Sequence, residues 1–127
     1  NENISDDKVI KLIQKYNLQP IYKELQNGLQ SSCGVNGNNL SLGMQKTTII
    51  LRAILNECKI IIMDEPLSGL DQETRTKIIK LIMSECNNRT LIVITHDKEI
   101  LPYMNRIINI SDLNNHSSSN NNRPIAA

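Results

Sequence analysis

The feature that most constrains this chain is Ile60-Ile61-Ile62-Met63, four consecutive aliphatic residues followed by two adjacent carboxylates, Asp64 and Glu65, and then Pro66. A run this short and this rich in β-branched residues predicts a strand over 59–63, and the absence of polar positions predicts burial on both faces, as in parallel sheets. A second aliphatic run over 91–95 repeats the pattern. Between the two, residues 72–86 carry Ile78, Ile79, Leu81, Ile82 and Met83 at helical spacing. Strand, helix, strand in that order predicts a βαβ unit and a parallel sheet, which makes the fold class α/β.

The flanks are less regular. Ser5 ahead of Asp6 and Asp7 reads as the cap and acidic first turn of a helix running to about residue 17, and Pro20 suits the opening of a short helix through Leu25. Gly, Asn, Ser and Gln dominate 26–39, which is loop chemistry. Residues 41–57 read as a helix with Ile49, Ile50, Ala53, Ile54 and Leu55 on its apolar side. A short helix over 98–104 and a last strand over 106–110 are expected, followed by a disordered, Asn- and Ser-rich tail over 114–127.

Composition narrows the function. The 127 residues are 39% apolar and 21% charged, enough for one core. With 2% aromatics, all tyrosine, there is no base-stacking platform, and a net charge of +1 gives no footprint for nucleic acid or an anionic membrane surface. Cys33, Cys58 and Cys86 form no C-x-x-C pair, so neither a zinc site nor a disulfide framework is indicated. No stretch is long and apolar enough to span a bilayer, and the start lacks the basic-then-apolar layout of a signal peptide. Asn1 in place of methionine is expected of a fragment or a processed product, and a trimmed chain starts the same way.

Two acids thrown out at the carboxyl end of a parallel strand stand where ligands bind in open α/β sheets. Such a pair suits a divided task, with one carboxylate supporting Mg²⁺ through water and the next polarising a water against a phosphoryl group. Taken alone, the pair reads equally as a solvated strand end capping a turn. Its neighbours decide. Leu40-Ser41-Leu42-Gly43-Met44-Gln45 lies ahead, Leu67-Ser68-Gly69-Leu70-Asp71 directly behind, and Ile94-Thr95-His96-Asp97 one strand later.

These four motifs, in this order over 34–97 and loosely to Leu113, resemble the C-terminal part of an ATP-binding cassette (ABC) ATPase domain. In that family an L-S-G-G-Q signature opens a helix, an aliphatic strand ends in D-E (the Walker B motif), an S-x-L-D loop follows, and a later strand ends in a switch histidine. The resemblance implies a partial P-loop NTPase-like parallel sheet with helices, preceded by an ABC helical subdomain. It divides 1–113 into helical subdomain and signature helix (1–57) and the part from Walker B to the last strand (58–113).

The resemblance also implies roles. Ser41 and Gly43 reach across a dimer interface to the γ-phosphate of ATP held by the partner, Asp64 supports Mg²⁺ through water, and Glu65 is the general base. His96 is the switch residue that contacts the γ-phosphate and helps position the attacking water, and Asp71 is the D-loop acid linking the two sites of the dimer. Each has a plainer reading beside it, with Ser41 and Asp71 as helix caps and His96 as a polar strand end. Arg52-Ala53 match the R-A pair late in the family's signature helix.

The sequence departs from the family twice. Leu42 and Met44 stand where the signature has its first glycine and its glutamine, and a leucine at a position requiring positive φ would weaken approach to a phosphate. No G-x-x-x-x-G-K-[ST] phosphate loop occurs, so the chain alone is expected neither to bind ATP well nor to hydrolyse it. Gly34-Val35-Asn36-Gly37-Asn38-Asn39-Leu40-Ser41 resembles the V-G-E-x-G-x-x-L-S of exporter-type cassettes. The implied protein is the ATPase part of a transporter, with ATP and Mg²⁺ as cofactors and a second ABC ATPase domain as dimer partner. Transmembrane domains on the same or another chain would hold it at a membrane, facing the cytosol, and no nucleic-acid partner is expected. A non-catalytic truncated partner subunit and a soluble ABC ATPase are the competing readings.

Overall fold

A computed structural model describes residues 4–110, so the tail expected over 114–127 lies outside the described residues. Three helices and two strands follow one another as α1 (Asp6–Lys15), α2 (Leu42–Leu55), β1 (Ile60–Asp64), α3 (Gln72–Glu85) and β2 (Thr90–Ile94). The strands pair in parallel with Ile60 opposite Thr90 and Asp64 opposite Ile94. Main-chain bonds from Thr90 N–H to the Lys59 carbonyl (2.9 Å) and from Glu65 N–H to the Ile94 carbonyl (2.8 Å) extend the ladder past both ends. The mixed architecture and its βαβ core are those the aliphatic runs predict.

The helices start where their caps are. Ser41 Oγ accepts the Met44 N–H at 3.3 Å to open α2, and Asp71 Oδ1 accepts the Thr74 N–H at 2.9 Å to open α3. Ser5 precedes α1 without such a side-chain bond. Ile13, Leu18, Ile50, Leu51, Ile54, Ile61, Met63 and Leu67 join Ile78, Leu81, Ile82 and Ile100 in one core. Burying each of these large side chains contributes roughly 1.5–3 kcal/mol, so the α3 trio of Ile78, Leu81 and Ile82 anchors the unit.

Five expectations need correction. The strands are not buried on both faces: Ile61 and Met63 point into the core, while Ile60 (58% exposed) and Ile62 (65%) open outward with Ile92 and Ile94 of β2. The edge of α2 stands beside that face, and Ile49, expected inward, turns out to flank it at 63% exposed. The strand expected over 106–110 does not form: among the described residues the sheet consists of β1 and β2, and Ile107, Ile108 and Ile110 are exposed. The helices expected after Pro20 and over 98–104 shrink to 3₁₀ turns, Gln19–Tyr22 and Leu101–Tyr103, each with a proline near its start that removes a main-chain donor.

Candidate functional site at the carboxyl end of the sheet

The chain leaves β1 through a tight bend. Glu65 adopts φ +45°, a left-handed conformation that non-glycine residues seldom hold. Three main-chain contacts hold it there: the Glu65 N–H donates to Ile94, the Ser68 N–H donates to the Glu65 carbonyl at 3.3 Å, and Lys46 Nζ donates to the same carbonyl at 2.8 Å. Lys46 also donates to Ser68 Oγ at 2.5 Å, so one ammonium on α2 fastens both ends of the bend. Strain of this kind at a strand end accompanies function where the surroundings over-determine it.

The bend aims the Glu65 carboxylate at the end of β2. Its Oε1 accepts the His96 main-chain N–H at 3.0 Å and stands 2.7 Å from His96 Nδ1, while Oε2 accepts the Thr95 hydroxyl at 3.0 Å. Desolvation pushes the Glu65 carboxyl up, but the bonds from the His96 ring, the Thr95 hydroxyl and the His96 N–H outweigh it and hold it below the usual carboxylate range. The His96 ring itself is largely exposed, so the pair sits at the surface, where a ligand has access to it.

Asp64 ends β1 with an exposed carboxylate that bonds to no other described side chain, leaving its hard oxygen donors open, the donor chemistry that suits Mg²⁺. Beside it a cleft of about 220 Å³ runs between α2 and the outer face of β1, lined by Lys46, Ile49, Ala53, Ile62, Asp64 and Pro66 among others. Ser41 and Gly43 open α2, and the N–H groups of the first turn face outward as at any helix start, a favourable place for an anion. Leu42 is the first helical residue with an ordinary negative φ, so its departure from glycine carries no backbone strain.

Glu65 and His96 are therefore in direct contact, whereas Ser41, Gly43 and Asp71 do not hydrogen-bond to that pair. They are joined to it indirectly: Leu42 lies against Gly69, Leu70 lies near Gly43, and Lys46 links α2 to the Glu65 bend. Thr95, Lys46, Arg75 and Asp97 carry contacts to the site or its supports that sequence reasoning did not assign. Position beside His96 was an available signal for Thr95 and Asp97. Lys46 and Arg75 give none, since lysine and arginine on a helix read as solvated.

The sequence pattern described as ABC transporter matches residues 1–68. The glutathione/L-cysteine transport system ATP-binding/permease protein CydC of Haemophilus influenzae is 36% identical over 95 residues, 75% of this chain and 16% of that protein. The ATP-dependent lipid A-core flippase 2 of Colwellia psychrerythraea is 31% identical over 111 residues, covering 87% of this chain and 19% of its own length. A bacterial Atm1-family ABC exporter with ATP bound superposes on 76% of this chain and 17% of that chain with a TM-score of 0.66 at 24% identity, a likeness of fold. The chain thus spans less than a fifth of each of these proteins. With its family pattern matched over more than half its length, the chain belongs to the ABC transporter family.

Proposed function

We propose that this chain is the C-terminal part of an ABC ATPase subunit that couples ATP hydrolysis at a cassette dimer to transport across a membrane, and that the transport is export. The observation that carries the reading is the Glu65–His96 pair at the carboxyl end of β1, with the exposed Asp64 beside it. The relatives printed as a flippase and as a transport ATP-binding/permease protein support a transport role, and the exporter-like 34–41 segment favours export.

In this reading Glu65 accepts the proton of the attacking water. Its carboxylate is ionised at neutral pH and its two oxygens are fixed by His96 and Thr95, which sets its direction before substrate arrives. His96 lies against Glu65 through Nδ1, and in the doubly protonated ring its Nε2–H would donate to the γ-phosphate. Asp64 would hold Mg²⁺ through water, and the ion would supply charge neutralisation on the phosphates. Ser41, Gly43 and the start of α2 would receive the γ-phosphate held by the partner cassette, and Asp71 would stand at the junction of the two sites. The cradle for the other phosphates is not among these 127 residues and would come from the rest of the polypeptide or from a partner subunit.

Among the described residues no helix is long and apolar enough to cross a membrane, so attachment would run through transmembrane domains elsewhere, with the ATPase facing the cytosol. The interface assignment is tested with Ser41→Arg in the complete polypeptide. ATP-dependent dimerisation, read by light scattering, should be lost while nucleotide binding to its own cassette persists. Dimerisation that survives the change would overturn the role of the signature loop.

A further inference from the structure

The loop behind His96 is tied to α3 by a relay that ends on the Glu65 carboxylate. Arg75 lies one turn into α3, where its N–H donates to the carbonyl of the cap residue Asp71 at 2.9 Å. Its guanidinium donates to Asp97 Oδ2, to Glu99 Oε1 at 3.1 Å and, through Nε, to the Leu67 carbonyl at 3.3 Å. The Asp97 side chain is only 9% exposed, and its second oxygen accepts the Glu99 N–H at 2.9 Å. The Asp97 N–H in turn donates to Thr95 Oγ1 at 3.0 Å, and that hydroxyl donates to Glu65 Oε2 at 3.0 Å. A hydroxyl has one proton, so a main-chain donor on its lone pair directs that proton to the carboxylate.

We propose that Arg75 is a positioning residue for the Glu65–His96 pair, holding the loop after β2 and the bend after β1 in one register and so coupling the D-loop end of α3 to the carboxylate. A single planar guanidinium bridges Leu67, which follows the acid pair, and Asp97, which follows His96. Movement of α3 at Asp71 is then transmitted along one helical turn to the atoms that aim Glu65. Arg75 touches neither reacting atom and acts through the Leu67 carbonyl on one side and through Asp97 and Thr95 on the other. The catalytic consequence rests on the reading of Glu65 as the base, whereas the relay itself does not.

The test uses the complete polypeptide that carries these residues, with Arg75→Met, Arg75→Lys and, as a control on the base, Glu65→Gln. Two readouts are taken: hydrogen exchange of peptides spanning 94–99 and 44–55, and kcat and KM for ATP. Arg75→Met should speed exchange over 94–99, leave 44–55 as in the parent, and lower kcat about tenfold to a hundredfold with KM within about twofold, the expected cost of a displaced reacting group. Arg75→Lys, which keeps the Asp97 ion pair but loses the fork, should fall between. Unchanged exchange over 94–99, exchange that rises equally over 44–55, or faster exchange over 94–99 with unchanged kcat would each overturn the proposal. Turnover retained by Glu65→Gln would instead sink the base assignment, and the exchange of 94–99 would still decide whether Arg75 holds the loop.

Discussion

Leu42 occupies the space a side chain on Gly69 would need: a Cβ built on Gly69 falls 2.6 Å from Leu42 Cδ2. The residue that departs from glycine in the signature loop is thus accommodated by a glycine in the loop behind the acid pair, and the two loops touch through this contact. Gly69 also holds φ +74°, where a Cβ is strained whatever the space.

Two penalties therefore fall on Gly69→Ala, and they are separable. The substitution should destabilise by roughly 1–2 kcal/mol in urea unfolding, most of it from the backbone conformation, because the half-exposed Leu42 tip can turn aside at small cost. Adding Leu42→Ala removes the clash but not the strain, so the double variant should recover part of what Gly69→Ala loses beyond the cost of Leu42→Ala. Strict additivity of the two changes would contradict the contact.

Thr47 is buried on α2, and its hydroxyl finds no hydrogen-bond partner among the described residues. Replacing it with valine removes an unpaired polar group at nearly constant shape. Thr47→Val should raise the unfolding free energy by about 1 kcal/mol, and a loss of stability would show that the hydroxyl is satisfied in solution.

Glu85 joins the end of α3 to the end of α1, accepting from Lys15 Nζ at 2.7 Å and from the Tyr16 hydroxyl at 2.6 Å. The bonds from Lys15 and then Tyr16 lower its carboxyl below the ordinary 4.5. A depressed carboxyl contributes stability that is fully present above its unfolded value and is lost as pH falls through its folded value. Thermal melting should therefore weaken as pH drops below about 4.5, and Glu85→Gln should flatten that part of the profile. Identical profiles for the two proteins would remove Glu85 as a source of acid sensitivity.

The sheet and the two long helices were legible because aliphatic periodicity reports burial directly, as Ile78, Leu81 and Ile82 show. Ile62 and Ile49 were misread because an apolar residue specifies that a partner is wanted, not that one lies within the described residues. The strand over 106–110 failed for the same reason, since a strand exists only in a ladder and among the described residues the ladder is that of β1 and β2. In the site, Glu65 and His96 stood out because strand ends place them. The bend at φ +45° and its fastening by Lys46 depend on contacts 19 residues apart, which no local pattern encodes.

The catalytic reading of this site turns on the Glu65 carboxylate, and one measurement reaches it most directly: ATP turnover and nucleotide binding by the complete polypeptide with and without Glu65→Gln. The amide keeps the shape and the acceptor oxygen but cannot take a proton from water. Binding should remain within about twofold while turnover falls by about a hundredfold or more, the usual weight of a general base. Turnover within a few-fold of the parent would contradict the assignment of Glu65 as the base.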